Sequence, residues 1–209
     1  MSDAHPVGTT APASQKGMPD PALFEPNEGR FDCNPSGIGF RALVAEDYRT
    51  NDSDAFSQGF WALFWHRFGN WRMGQPRLLR VLLTPIYRVM YKMCQWLCGI
   101  QLPYTVRVGR RVRLDHFGGM ILVAQAIGDD VIIRQNTTFG IAGLDDMTAR
   151  PVIGNRVEIG AGAVIVGKLA IGDDAVIGAN AVVTKTVPPG AIMGGVPARL
   201  IRQKPLGGL

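Results

Sequence analysis

Six aliphatic residues stand six apart: Ile153, Ile159, Ile165, Ile171, Ile177 and Val183. Four residues after each comes a second apolar position, read in order as Val157, Ala163, Leu169, Ala175, Ala181 and Val187. Glycine directly follows four members of the first series, as Gly154, Gly160, Gly172 and Gly178. A strand alternates every two residues and a helix every 3.6, so a sustained period of six belongs to neither alone. It predicts a hexapeptide-repeat parallel β-helix, in which three short strands make one triangular coil of roughly 18 residues.

Upstream, Val108, Leu114 and Met120 predict a first coil and Ile127, Ile133 and Phe139 a second, with a single-residue slip between them. Residues 140–152 break the hexad. The interval from Ile127 to Ile153 is not a multiple of six, so this segment is expected to leave the coil as a loop, where binding function tends to sit. After Val187, Pro188-Pro189-Gly190 ends the regular coil, and the tail through Gly195, Val196, Pro197, Ala198 and Arg199 is expected to fold back.

Between Phe40 and Ile100 the pattern is helical. Asp54 is the expected cap of a helix through Phe60-Trp61-Ala62-Leu63-Phe64-Trp65, ended by Gly69 and Gly74. A second helix follows Pro76, with Arg77, Arg80, Thr84, Arg88, Lys92 and Gln95 on one polar stripe. Its other residues are apolar, yet the embedded cations and Pro85 argue against a membrane span. Burial against the β-helix or a neighbouring subunit is expected; lying flat on a lipid surface is the alternative. Residues 1–37, rich in Pro, Ser, Thr and Gly without a period, read as a disordered tail. The domain reading is therefore a tail at 1–37, a helical segment at 38–103, the β-helix at 104–202 with its loop at 140–152, and a short tail at 203–209.

Composition narrows the setting. An apolar fraction of 46% over 209 residues fits a chain with a real core. Cys33, Cys94 and Cys98 form neither a disulfide framework nor a zinc site, so no metal is expected. A reduced, cytoplasmic compartment is expected, since the N-terminus has no cationic-then-apolar leader. The net charge of +5 is uneven: residues 55–114 contain no Asp or Glu but hold Arg67, Arg72, Arg77, Arg80, Arg88, Lys92, Arg107, Arg110, Arg111 and Arg113. Such a block points to an anionic partner, whether cofactor phosphates, a nucleotide-linked substrate or a membrane surface, unless it is simply a solvated face. No nucleic-acid reading motif accompanies it.

The flat faces of a short prism gain by side-to-side packing, so a symmetric homotrimer is expected, possibly doubled into a dimer of trimers, with clefts lined by two chains. The histidines are His5, His66 and His116. His116, within Leu114-Asp115-His116-Phe117-Gly118-Gly119, falls near a coil corner where it can face such a cleft. A neutral imidazole there can take a proton from a hydroxyl.

Over residues 40–202 the chain resembles the serine acetyltransferase family of hexapeptide acyltransferases. The resemblance rests on Val108-Gly109-Arg110-Arg111, Leu114-Asp115-His116, the ladder 153–183, Val187-Pro188-Pro189 and Gly195-Val196-Pro197-Ala198-Arg199. Gly59-Phe60-Trp61-Ala62-Leu63 with Arg67, Gly69 and Trp71 matches the family's helix ahead of its β-helix. The resemblance implies a left-handed β-helix and direct transfer of acetyl from acetyl-CoA to a hydroxyl, with His116 as general base and Asp115 holding substrate. It places Asp47 at the family's N-terminal substrate carboxylate. It also puts Gly143, Ala161, Ala179, Lys185 and Arg199 along the CoA arm, although coil geometry by itself favours small residues at the first three.

Two departures stand out. Gln101 occupies the position of an acid that orients the imidazole in that family, and an amide cannot stabilise imidazolium by charge. Arg150 occupies the position of a second active-site histidine; a guanidinium cannot act as base but grips carboxylate or phosphate well. The loop Gly143-Leu144-Asp145-Asp146-Met147 looks closer to relatives from exopolysaccharide pathways that acetylate sugar hydroxyls. Serine is therefore the expected acceptor and a sugar hydroxyl its rival. A non-catalytic hexapeptide scaffold is a third reading, and peripheral membrane contact accompanies the basic helix.

Overall fold

The computed structural model describes residues 16–116 and 118–204. Three helices come first: α1 (Phe40–Thr50), α2 (Gln58–Trp71) and α3 (Arg77–Cys98). Short strands follow, opening with β1 (Ile100–Gln101), β2 (Arg107–Val108), β3 (Arg113–Asp115), β4 (Met120–Leu122) and β5 (Ala126–Ile127). Next come β6 (Ile132–Arg134), β7 (Thr138–Gly140), β8 (Val152–Ile153), β9 (Glu158–Ile159) and β10 (Val164–Val166). The series ends with β11 (Ala170–Ile171), β12 (Val176–Ile177), β13 (Val182–Val183), β14 (Ala191–Gly194) and β15 (Arg199–Gln203). They stack into three sheets, β1-β4-β7-β10-β13, β2-β5-β8-β11 and β3-β6-β9-β12-β14-β15. The prism is a parallel β-helix, and among the described residues only β15 runs antiparallel, folding back along β14.

The register explains the period. Val152 pairs with Ala170, Glu158 with Val176 and Val164 with Val182, each 18 residues apart. The six ladder aliphatics point inward and are at most 1% exposed. Their second-position partners, at most 4% exposed, fill the crowded corners. Glycine follows the inward aliphatic because backbones stack closely there: a Cβ on Gly128 would lie 2.5 Å from the carbonyl oxygen of Gly154. Beside it an Asx ladder ties coil to coil, with Arg110 N–H donating to Asp129 at 2.8 Å, Asp129 N–H to Asn155 at 2.9 Å and Asn155 N–H to Asp173 at 2.8 Å.

The first coil departs from the simple hexad reading. Leu122, not Met120, is the register partner of Phe139. Eight residues thus separate Leu114 from Leu122, where six separate their partners Ile133 and Phe139. The corner after β3 is longer by two residues, and the next side, from Leu122 to Ile127, is one residue short of a hexad. The net slip of one hid both changes. The β-helix also starts earlier than expected, because β1 already pairs with β4. The expelled loop spans 141–151, between β7 and β8.

The helices close the N-terminal end of the prism. α2 is capped by Ser57, whose Oγ accepts from Phe60 N–H at 3.4 Å. Asp54 is not the cap, because its carboxylate accepts from Phe56 N–H at 2.8 Å in the preceding turn. Gly99, in the left-handed region at φ +65°, terminates α3. Contrary to the disordered-tail reading, residues 16–37 form a strap on the prism: Arg107 donates to the Glu25 carbonyl at 2.9 Å, Asn27 to the Thr105 carbonyl at 3.0 Å, and Asp173 N–H to the Gly17 carbonyl at 2.7 Å. Its anchors are isolated polar contacts, which leave no periodic trace in the sequence. Residues 1–15 lie outside the described residues.

α3 is not buried against the β-helix along its apolar face. Tyr87, Cys94 and Cys98 face the body, while Leu78, Val81, Leu82, Val89, Trp96 and Leu97 are each at least 60% exposed.

Candidate active site

β3 is the outer strand of its sheet, and its free edge is closed by side-chain amide rather than by another strand. Asn51, at the end of α1, accepts from Leu114 N–H at 3.1 Å and donates to the Val112 carbonyl at 3.2 Å. Both edge groups are thereby satisfied. α2 can lie close because Gly59 has no side chain: a Cβ there would sit 2.5 Å from the Leu114 carbonyl oxygen. This docking brings the α1–α2 turn beside the residue that precedes His116.

Arg113 links the two. Its guanidinium donates to both oxygens of Asp52, at 2.9 and 3.0 Å, and its Nε donates to Asp115. Arg113 and Asp115 alternate on one strand and so share a face. The Asp115 hydrogen bond is the chief reason the Arg113 guanidinium is held above its usual range. His116 follows directly, exposed, with φ +66° in the left-handed region, a strained backbone for a residue with a Cβ. The longer corner explains how it stands clear of the coil. Gly118 N–H donates to the Cys98 carbonyl at 3.3 Å and Met120 N–H to the Gly99 carbonyl at 2.9 Å, so the corner is anchored on the end of α3.

The expected cofactor residues fall along the two edges of the first sheet. Ala161 and Ala179 follow β9 and β12 and lie one coil apart on the edge that carries His116, with Asn180 N–H donating to the Ala161 carbonyl at 2.8 Å. Arg199 joins that edge, since β15 pairs it with Gly194. Gly143 and Lys185 are on the opposite edge, after β7 and β13, both exposed. Arg150 is there too, in the loop ordered by Gln125, which donates to the Thr148 carbonyl at 2.7 Å. Its Nε is buried without a partner among the described residues. One chain therefore separates His116 from Arg150 by the width of a sheet.

Gln101, half-buried on β1, is in register with Ile121 on β4, the strand into which the His116 corner leads. Asp47 is placed elsewhere. It has no exposed surface, and its two oxygens accept from Arg67 at 2.9 and 3.3 Å, so it is a structural carboxylate and no substrate can reach it. Arg67 also donates to the carbonyls of Val108 and Gly109 at 2.7 and 2.6 Å, pinning α2 to the first coil. His66 is buried next to it, bonded to the Val106 carbonyl at 2.9 Å, and burial lowers its pKa to about 3. His5 lies outside the described residues.

Sequence reasoning missed Asp52, Arg113 and Asn51. The alternation of Arg113 with Asp115 was readable, but Asp52 is 61 residues away and nothing local signals the contact. The acid-free block also resolves into parts. Arg110 pairs with Glu46, Arg111 with Asp130 and Arg113 with Asp52 and Asp115, so these cations have internal partners.

Proteins of known family resemble this chain. Residues 150–185 match the family described as bacterial transferase hexapeptide (six repeats). A serine acetyltransferase of Mycobacterium tuberculosis is 38% identical over 69% of this chain, which spans 61% of that relative's length. A serine acetyltransferase of Salmonella typhimurium is 34% identical over 88% of this chain and 68% of its own. The solved serine acetyltransferase of Brucella abortus in complex with coenzyme A superposes with a TM-score of 0.64 at 26% identity, over 78% of this chain and 66% of that one. Carried over most of its length by the hexad prism and the helices that close it, the chain belongs to the serine acetyltransferase family.

Proposed function

We propose that this protein is an acetyl-CoA-dependent O-acetyltransferase that acetylates the hydroxyl of serine. The supporting observation is His116 on the lengthened corner, next to the Asp52–Arg113–Asp115 network and at the foot of the Ala161–Ala179 edge. His116 takes the hydroxyl proton as the oxygen attacks the thioester carbonyl carbon. The tetrahedral adduct collapses by breaking the C–S bond, and the CoA sulfur leaves with the proton held by the imidazolium. Asp115 orients the acceptor, and Gln101 holds the ring by hydrogen bonding. The backbone of the groove, with Gly143, Ala161, Ala179, Lys185 and Arg199, takes the CoA arm.

A single chain keeps His116 and Arg150 on opposite edges, which supports a homotrimer whose cleft joins the His116 edge of one copy to the loop of the next. There Arg150 grips an acceptor carboxylate or phosphate. A sugar hydroxyl is the second reading, favoured by the loop 141–151 with its exposed Leu144 and Met147 and by the removal of Asp47 from the site. We place the protein in the cytoplasm, with α3 in peripheral contact with the inner face of the membrane. Among the described residues no helix is long and apolar enough to cross a membrane.

Thiol release from acetyl-CoA, with L-serine and nucleotide sugars as competing acceptors, tests the reading. His116→Ala is expected to lower kcat/KM by at least about 100-fold. Turnover that survives the substitution removes His116 as base. A folded oligomer that releases no CoA with any acceptor would instead be a scaffold.

A further inference from the structure

A pocket of about 350 Å³ opens between α3 and the turn that follows α2, lined among others by Arg72, Arg80, Arg88, Thr84, Tyr87 and Tyr104. Arg72 is 95% buried, being 5% exposed, with its guanidinium carbon 4.5 Å from the Tyr87 ring centre and 4.7 Å from that of Tyr104. One Nη donates to Thr84 Oγ at 3.0 Å, and Nε is buried without a partner among the described residues. None of the ion pairs among the described residues involves Arg72, Arg80 or Arg88. A buried guanidinium held by two ring faces, a hydroxyl and the Met73 sulfur, with two more arginines lining the same pocket, is a cation cluster with no carboxylate paired to it among the described residues. Forked guanidinium donors suit phosphate oxygens, and the volume suits a headgroup rather than a bare ion.

What adjoins the pocket decides the source of that phosphate. Val81 lines the pocket and is 60% exposed, continuous with Leu78, Leu82 and Val89 on the outward face of α3. Arg77, Arg88 and Lys92 on the same helix are exposed. A helix with its apolar face outward and cations beside it fits the plane of anionic headgroups. Two copies pairing through α3 would instead bring these cations together, and residues 55–114 contain no acid to neutralise them.

We infer that the Arg72–Arg80–Arg88 pocket binds the phosphate of an anionic phospholipid while the apolar face of α3 lies among the acyl chains. This rests on the peripheral contact proposed for α3 and names its ligand. The test is co-sedimentation of the full chain with phosphatidylcholine vesicles with and without phosphatidylglycerol. The wild type is expected to bind only the anionic vesicles, and Arg80→Gln with Arg88→Gln, both lining the pocket and neither fully buried, to weaken binding roughly 30-fold. Arg72→Met should act in the same direction. Binding lost in Leu82→Gln with Val89→Gln but unchanged in the arginine variants would overturn the pocket and leave the membrane contact standing. Absence of vesicle binding would overturn both, with glycerol phosphate retained by the arginines marking a site for a soluble phosphate, and self-association broken by the Leu82 and Val89 changes marking a second copy.

Discussion

Asp47 and Arg67 are a buried ion pair whose guanidinium also satisfies two carbonyls of the first coil. Removing one charge leaves the other stranded, which for buried pairs costs about 3–5 kcal/mol. Asp47→Asn is therefore expected to lower unfolding free energy by that order in urea melts, while the KM for the acceptor in the folded fraction stays at the wild-type value. A KM rise without a stability loss would return Asp47 to the substrate site. The sequence displayed the carboxylate and its matching position, but burial is a property of the helix pair, and no local pattern encodes it. The corner position of Asp115 and His116, by contrast, could be read in advance, because a polar pair directly after an inward leucine has to lie at a corner.

At the scale of elements, legibility followed periodicity. The ladder from Ile153 to Val183 was readable because every coil there repeats in 18 residues. The lengthened His116 corner was not, since Met120 imitates the next hexad and the short side after Leu122 cancels most of the insertion. The strap at 16–37 and the outward turn of α3 were also hidden: one is held by single polar contacts, and the other depends on what lies beyond the chain. At Gly59 the backbone of α2 comes close against β3. Gly59→Ala places a methyl 2.5 Å from the Leu114 carbonyl, so overpacking should cost about 1–3 kcal/mol and displace the Asp52–Arg113 link. The expected result is a lower melting temperature together with reduced kcat; an unchanged kcat would detach that link from the site.

At the scale of the molecule, the division of candidate residues between two edges of one sheet predicts sites shared by neighbouring chains. Co-expressed His116→Ala and Arg150→Ala chains, each inactive alone, should then form mixed trimers with about a quarter of their clefts intact. Activity recovered in the mixture, measured by thiol release, confirms sharing, whereas sites enclosed within one chain would recover none. The basic surface is likewise a property of the whole: Arg67, Arg110, Arg111 and Arg113 are paired with acids from outside the block, whereas Arg77, Arg80, Arg88 and Lys92 stand together on α3.

Stacked strands repeat about every 4.8 Å, and four such steps lead from β3 beneath His116 to β14, beside Arg199, roughly 19 Å in all. The prism is thus a ruler graduated in whole coils. On the course proposed for the CoA arm, the distance between the His116 corner and the edge beside Arg199 is set in whole coils. On that proposed course, removing one coil would bring the two ends about 4.8 Å closer, so the number of turns would set the length of carrier arm that the edge accommodates.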